Sequence, residues 1–153
     1  KNDMFLLKNL NEELKAAMKA KDTLKLEALR AIKSAVLLAQ TSSGAGDALS
    51  EEDEIKLLQR LIKQRKDSAA IYKDQNRDDL AAPEEEQAEV IAKFLPEQLL
   101  LHEIEEIVSN IILKISAEGM KDMGKVMGMA TKEMAGKADG KTISDVVKKK
   151  LSV

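Results

Sequence analysis

Asp74, Asn76, Asp78 and Glu85 fall at positions 1, 3, 5 and 12 of a helix–loop–helix calcium loop. In such loops those positions carry oxygen ligands, so the chemistry would be hard-cation binding. Position 6, where the sharp turn calls for Gly, is Asp79, and position 10 is Pro83. The segment "DQNRDDLAAPEE" therefore reads as a helix–helix turn with Asp capping. His102 is the only histidine. A lone imidazole cannot build a two- or three-His metal site, and no Ser stands near it in an elbow motif. It reads as an exposed residue at a helix N-cap. The acids Glu84–Glu86 and Glu105/Glu106 would need a raised pKa in an apolar pocket to act as general acids. They read as solvated helix faces. No catalytic, metal-binding or cofactor-binding constellation is expected.

Two basic groups remain. Lys56, Arg60 and Lys63 recur at i, i+4, i+7 and form one stripe on a helix. Such a stripe could contact phosphates, or pair with the acidic helix that follows it. The second group is "MKDMGKVMGMATKEMAGKADGKTI", residues 120–143, with five of the seven Met and five Lys. Asp122 can cap a helix from Met123 to Ala135, with Val126, Met127, Ala130 and Met134 as its apolar face. Gly136 should end it. Gly124 and Gly128 then lie inside the helix on one face, each at a cost of up to about 1 kcal/mol against Ala. Something approaches that backbone closely. A neighbouring helix packed on the glycines, with flexible Met filling gaps, is one reading. An RNA phosphate backbone or a partner protein is the other. Lys125, Lys132, Lys137 and Lys141 surround the site, and free N–H groups at a helix start attract anions.

The elements that would carry these residues are all helical. Leu7, Leu10, Leu14 and Met18, then Leu26, Leu29, Ile32 and Val36, follow helical spacing and form a hairpin about Lys21–Asp22. "TSSGAGDAL" (41–49) reads as a loop. Ser50 and Asp53 can form a capping box for a helix whose stripe is Ile55, Leu58, Ile62, Ala69 and Tyr72. Glu51, Glu52, Asp53 and Glu54 suit the positive end of that helix. A fourth helix runs to about Phe94, with Pro83 tolerable only in its first turn, and Pro96 ends it. A fifth spans about Glu103 to Ala117, stopped by Gly119, with Ile104, Ile107, Val108, Ile111 and Ile115 inward. Thr142 and Asp145 offer a capping box for the last helix. No period-2 strand pattern appears. The fold expected is all-α: an N-terminal helical bundle over residues 1–95, then a small three-helix domain over 96–153, joined at "LPEQ".

Composition bounds the function. With 153 residues, 44% hydrophobic and 2% aromatic, the chain can build an aliphatic core but no base-stacking platform. Net charge is −2, so the whole chain does not attract nucleic acid. The segment Asp74–Glu106 holds eleven acids and two bases, whereas Gly119–Val153 holds eight Lys and four acids. Absence of Cys excludes disulfides, thiolate sites and a Cys nucleophile, and suits a reducing, cytoplasmic setting. No apolar run reaches transmembrane length, so no membrane partner is expected. The chain opens on Lys1 rather than Met, which leaves a start upstream open.

Several segments resemble the YqeY family, small proteins similar to the C-terminal tail domain of GatB, a subunit of tRNA-dependent amidotransferases. They are "LKAAMKAKD" and "ALRAIKSAV" (14–36), "KQRKDSAAIY" (63–72), "NRDDLA" (76–81), "FLPEQL" (94–99), "MKDMGKVMG" (120–128) and "GKADGK" (136–141). The last two are the most specific, and the order of motifs matches. The chain departs from the pattern in the 41–49 loop, at Pro83 and at His102. The resemblance implies an all-α fold and an accessory module that contacts tRNA beside an amidotransferase or an aminoacyl-tRNA synthetase. Its contacts would be Lys121, Lys125, Lys132, Lys137 and Lys141, with Gly124, Gly128, Gly136 and Gly140 permitting close approach. A protein–protein module using a Met/Gly face is the alternative. A carbon–nitrogen ligase activity with glutamine as amide donor would belong only to a larger complex. This chain has no Ser–Ser–Lys amidase setting, no Cys and no nucleotide loop.

Overall fold

The computed structural model describes residues 5–42 and 49–152. Among them it contains seven α-helices and no strand: α1 Leu10–Ala20, α2 Thr23–Ser42, α3 Glu51–Asp74, α4 Asp78–Ala92, α5 Leu101–Ile115, α6 Met123–Glu133 and α7 Gly140–Leu151. A 3-10 turn, Met120–Asp122, leads into α6. The expected 41–49 loop lies mostly outside the described residues (43–48), and Thr41 and Ser42 still belong to α2. The chain divides into two compact units, Lys1–Pro96 and Glu97–Val153.

In the first unit, α1–α4 bury Leu7, Leu10, Leu14, Leu29, Ile32, Val36, Leu57, Leu58 and Ile91 in one aliphatic cluster. Lys21 ends α1 in the left-handed region at φ 56°, which lets α2 turn back at once. Ser50 Oγ accepts the Asp53 N–H at 3.1 Å, a cap that opens α3. Glu54, one residue further, is fully buried. Its Oε1 accepts the Leu6 N–H at 2.8 Å, and both carboxyl oxygens accept the Phe5 N–H at 3.2 Å. Phe5 and Leu6, which precede α1 and have no helical partner for those donors, are thus tied to α3. Loss of hydration pushes the Glu54 carboxyl above its usual range, against the lowering effect of the Leu6 and Phe5 bonds.

The α3–α4 turn also differs from a cation loop in its partners. Asn76 takes φ 60°, and Arg77 forks onto Asp79 through bonds of 3.1 and 3.0 Å. Glu85 is held by Lys73 at 2.6 Å. Pro83 sits inside α4, beyond the first turn where a proline is expected. The close pairing of α4 with α3 holds the helix through the missing backbone bond.

The second unit packs α5, α6 and α7 around Ile104, Val108, Ile111, Val126, Ala130, Met134, Ile143, Val147 and Leu151. Its caps differ from the expected ones. α5 starts after Leu100 and is closed by left-handed Ser116, not by Gly119. His102 lies in the first turn, exposed, rather than at the N-cap. α7 is capped by Asp139, whose carboxylate accepts the Thr142 N–H at 3.2 Å and its hydroxyl at 2.7 Å. The side chain three residues ahead of Thr142 therefore takes the role expected of Thr142 itself.

Candidate nucleic-acid interface

Helix α6 has two opposed faces. Val126 and Ala130 are fully buried, and Met134 just beyond the helix is too. Met123, Met127 and Met129 are half-buried and pack on the same cluster. One turn apart on the opposite face stand Gly124, Gly128 and Lys132, with Lys125 beside them, all exposed. Spacing of i, i+4, i+8 places these residues in a row about 12 Å long. Lys121, in the preceding 3-10 turn, is also exposed and pairs with Glu118 at 3.2 Å. The methionines thus lean toward the core side of the helix and the glycines away from it. Most of the Met side chains fill the core, as flexible thioethers do.

The glycines carry the most informative geometry. A Cβ built on Gly124, Gly128 or Gly140 meets nothing within 4 Å. No described helix packs on them, so the internal-packing reading has no contact behind it. Gly136 is different: it is buried and takes φ 78°. α6 ends earlier than expected, at Glu133 with Met134 as its C-cap. Gly136 lies in the turn that follows, in the left-handed region where a side chain would be strained, and stands apart from the open face.

The α6–α7 turn is fixed from the segment before α5. Gln98 Nε2 donates to the Gly136 carbonyl at 2.8 Å, and the Leu99 N–H donates to the Lys137 carbonyl at 2.9 Å. That pair of bonds holds Lys137 in place, with its side chain exposed. Lys141 is exposed and bridges to Asp145 at 3.1 Å. Lys125, Lys132 and Lys137 make no ion pair among the described residues. Two of the five lysines thus have a local acid and three do not. Lys148 and Lys149 are also exposed on α7. They belong to the basic tail, but nothing in their spacing marks them, because cations in a last helical turn have an ordinary role there.

The other basic stripe is arranged differently. Lys56 pairs with Glu52 at 3.4 Å and Lys63 with Asp67 at 2.8 Å, each one turn along α3 itself. Their acids come from their own helix, not from α4. Among the described residues no group of three or more His, Cys, Asp or Glu is placed to hold a metal ion. None of the described helices is long and apolar enough to cross a membrane.

Two all-α units, the second presenting a glycine-and-lysine helix face, define a small helical module. The chain belongs to the Yqey-like protein family, whose model matches residues 7–151. It is similar to altered inheritance of mitochondria protein 41, mitochondrial, of Clavispora lusitaniae, at 36% identity over 69% of this chain and 60% of that protein. The Saccharomyces cerevisiae (strain S288c) protein of the same name is 31% identical over 88% of this chain and 70% of its own length. That of Lachancea thermotolerans is 34% identical over 70% and 58%. The chain thus spans about 60% of the length of the first and last of these relatives. Their names correct the cytoplasmic placement, since all three are designated mitochondrial. Absence of cysteine suits any compartment that keeps thiols reduced, and so could not separate cytosol from organelle.

Proposed function

We propose that this chain is a non-catalytic accessory module, related to the amidotransferase tail domain, that grips tRNA by its phosphate backbone along α6. The observation that carries the reading is the open glycine row. Gly124 and Gly128 weaken the helix by up to about 1 kcal/mol each, and nothing among the described residues uses the space they leave. The space accepts an external backbone, and unpaired lysines stand beside it. Residues 97–153 contain no Phe, Tyr or Trp, so splayed bases would find no stacking surface. Contacts to phosphates are what Lys side chains and exposed helical N–H groups supply.

The double variant Gly124→Ala/Gly128→Ala tests this directly. Alanine fits both positions without a clash and is the better helix former. The melting temperature should rise, reflecting up to about 1 kcal/mol per site. tRNA affinity, read by gel shift at low salt, should fall as the added methyl groups hold the phosphates away. A more stable protein that binds tRNA as well as the parent contradicts the close-approach role of the glycines.

A further inference from the structure

A groove of about 620 Å³ runs between α3 and α4, in the first unit. Alanines 69, 70, 88 and 92 line it. Lys66 and Lys73 stand on its α3 rim, and Glu85 and Glu89 on its α4 rim. On each helix these residues recur every three or four positions, so they share one face. The Lys73–Glu85 pair spans the two helices at 2.6 Å. Lys66 and Glu89 are exposed and make no ion pair among the described residues. The groove is therefore electrically two-sided, with one positive rim and one negative rim, each keeping a charge without a partner.

We infer that this groove is an interface with a second copy of the chain, groove against groove. Two copies related by a twofold axis running along the groove set each Lys66 against the other copy's Glu89, twice over. Such a contact is self-complementary, as a twofold interface requires. An axis running across the groove would set like charges together, which selects against that arrangement. A partner carrying one sign of charge would be repelled by one rim. The occupant that satisfies both rims is itself two-sided, which a second copy is by construction. Alanine side chains on the floor let the paired helices come close without displacing larger groups.

Sedimentation velocity on the whole chain over a wide concentration range tests this. The parent protein should shift from monomer to dimer as concentration rises. Lys66→Glu and Glu89→Lys, both surface changes, should each weaken association at least about tenfold, because each sets like charges together at two symmetry-related places. An equimolar mixture of the two variants should recover parental association. In the mixed dimer the carboxylate introduced at position 66 of one copy faces the ammonium introduced at position 89 of the other. Thermal melts taken at concentrations where the parent is monomeric should be unchanged for both. A chain that stays monomeric up to its solubility limit overturns the inference and leaves the groove to a helix of another protein. A dimer that neither variant weakens, or a mixture that fails to recover, overturns it as well.

Discussion

If the proposal holds, replacing Lys125 and Lys137 together by Glu should lower tRNA affinity roughly 10- to 100-fold at low salt, while the fold should melt where the parent does. Both side chains are exposed and neither has an ion-pair partner among the described residues. Nothing in the folded state is lost by reversing them, and surface changes of this kind stay within about 0.5 kcal/mol. The same reversals would turn the two proposed phosphate contacts from attractive to repulsive, so the effect should fall on binding alone. Lys56→Glu/Lys63→Glu serves as the matched control. Those residues are exposed too, but each is already engaged by an acid on α3. Binding should fall much less than for the Lys125/Lys137 pair. Equal losses from the two pairs would mean that net charge matters and the α6 surface does not.

Glu54→Ala should destabilise the fold by about 2–3 kcal/mol, the largest stability effect expected from a single polar group here. The substitution strips the Leu6 and Phe5 N–H groups of their acceptor. It also empties a fully buried side-chain site. An abandoned donor costs up to about 1–3 kcal/mol where water cannot replace the acceptor, as on the half-buried Leu6, and the void adds to that. Glu54→Gln keeps one acceptor oxygen but turns an amide donor toward N–H donors, so it should fall between parent and Ala. The pH dependence has a defined sign. Burial holds the Glu54 carboxyl above its usual range, so the folded state binds this proton more tightly than the unfolded one. The associated stability is present at acid pH and is lost as pH rises through the elevated value. Chemical denaturation should show the parent losing stability relative to Glu54→Gln across that window. A difference that grows with pH instead would mean that the backbone hydrogen bonds outweigh desolvation.

Helix periodicity made the all-α class legible, because Leu10, Leu14 and Leu29, Ile32, Val36 repeat at spacings a strand cannot use. Ser50 was legible as a cap from its place ahead of four acids. Glu54 was not legible, because it is the last of those acids and its neighbours serve only the helix end. Only the return of Phe5 and Leu6 to α3, 49 and 48 residues away in sequence, sets it apart. Caps were the least legible feature. Ser116 adopts the left-handed conformation that Gly119 was expected to supply, since tertiary contacts can hold a non-glycine residue there. On α6 both the lysines and the glycines stood out in the sequence, but not which way the glycines faced. The spacing of Val126, Ala130 and Met134 settles that only once those three are known to be buried. Gly136 shared the motif with the others, yet it is buried at φ 78° in the α6–α7 turn, beyond the helix end at Glu133, rather than on the open face.

The most direct test of tRNA recognition by α6 is the salt dependence of tRNA binding by the parent chain beside Lys125→Glu/Lys137→Glu. Each phosphate contact contributes a slope of about −0.7 to −0.9 in log affinity against log salt. Three unpaired lysines predict a parental slope between about −2 and −3, shallower by about two contacts' worth in the double variant. A parent that forms no complex with tRNA at low salt, or a slope that the double variant leaves unchanged, contradicts the account.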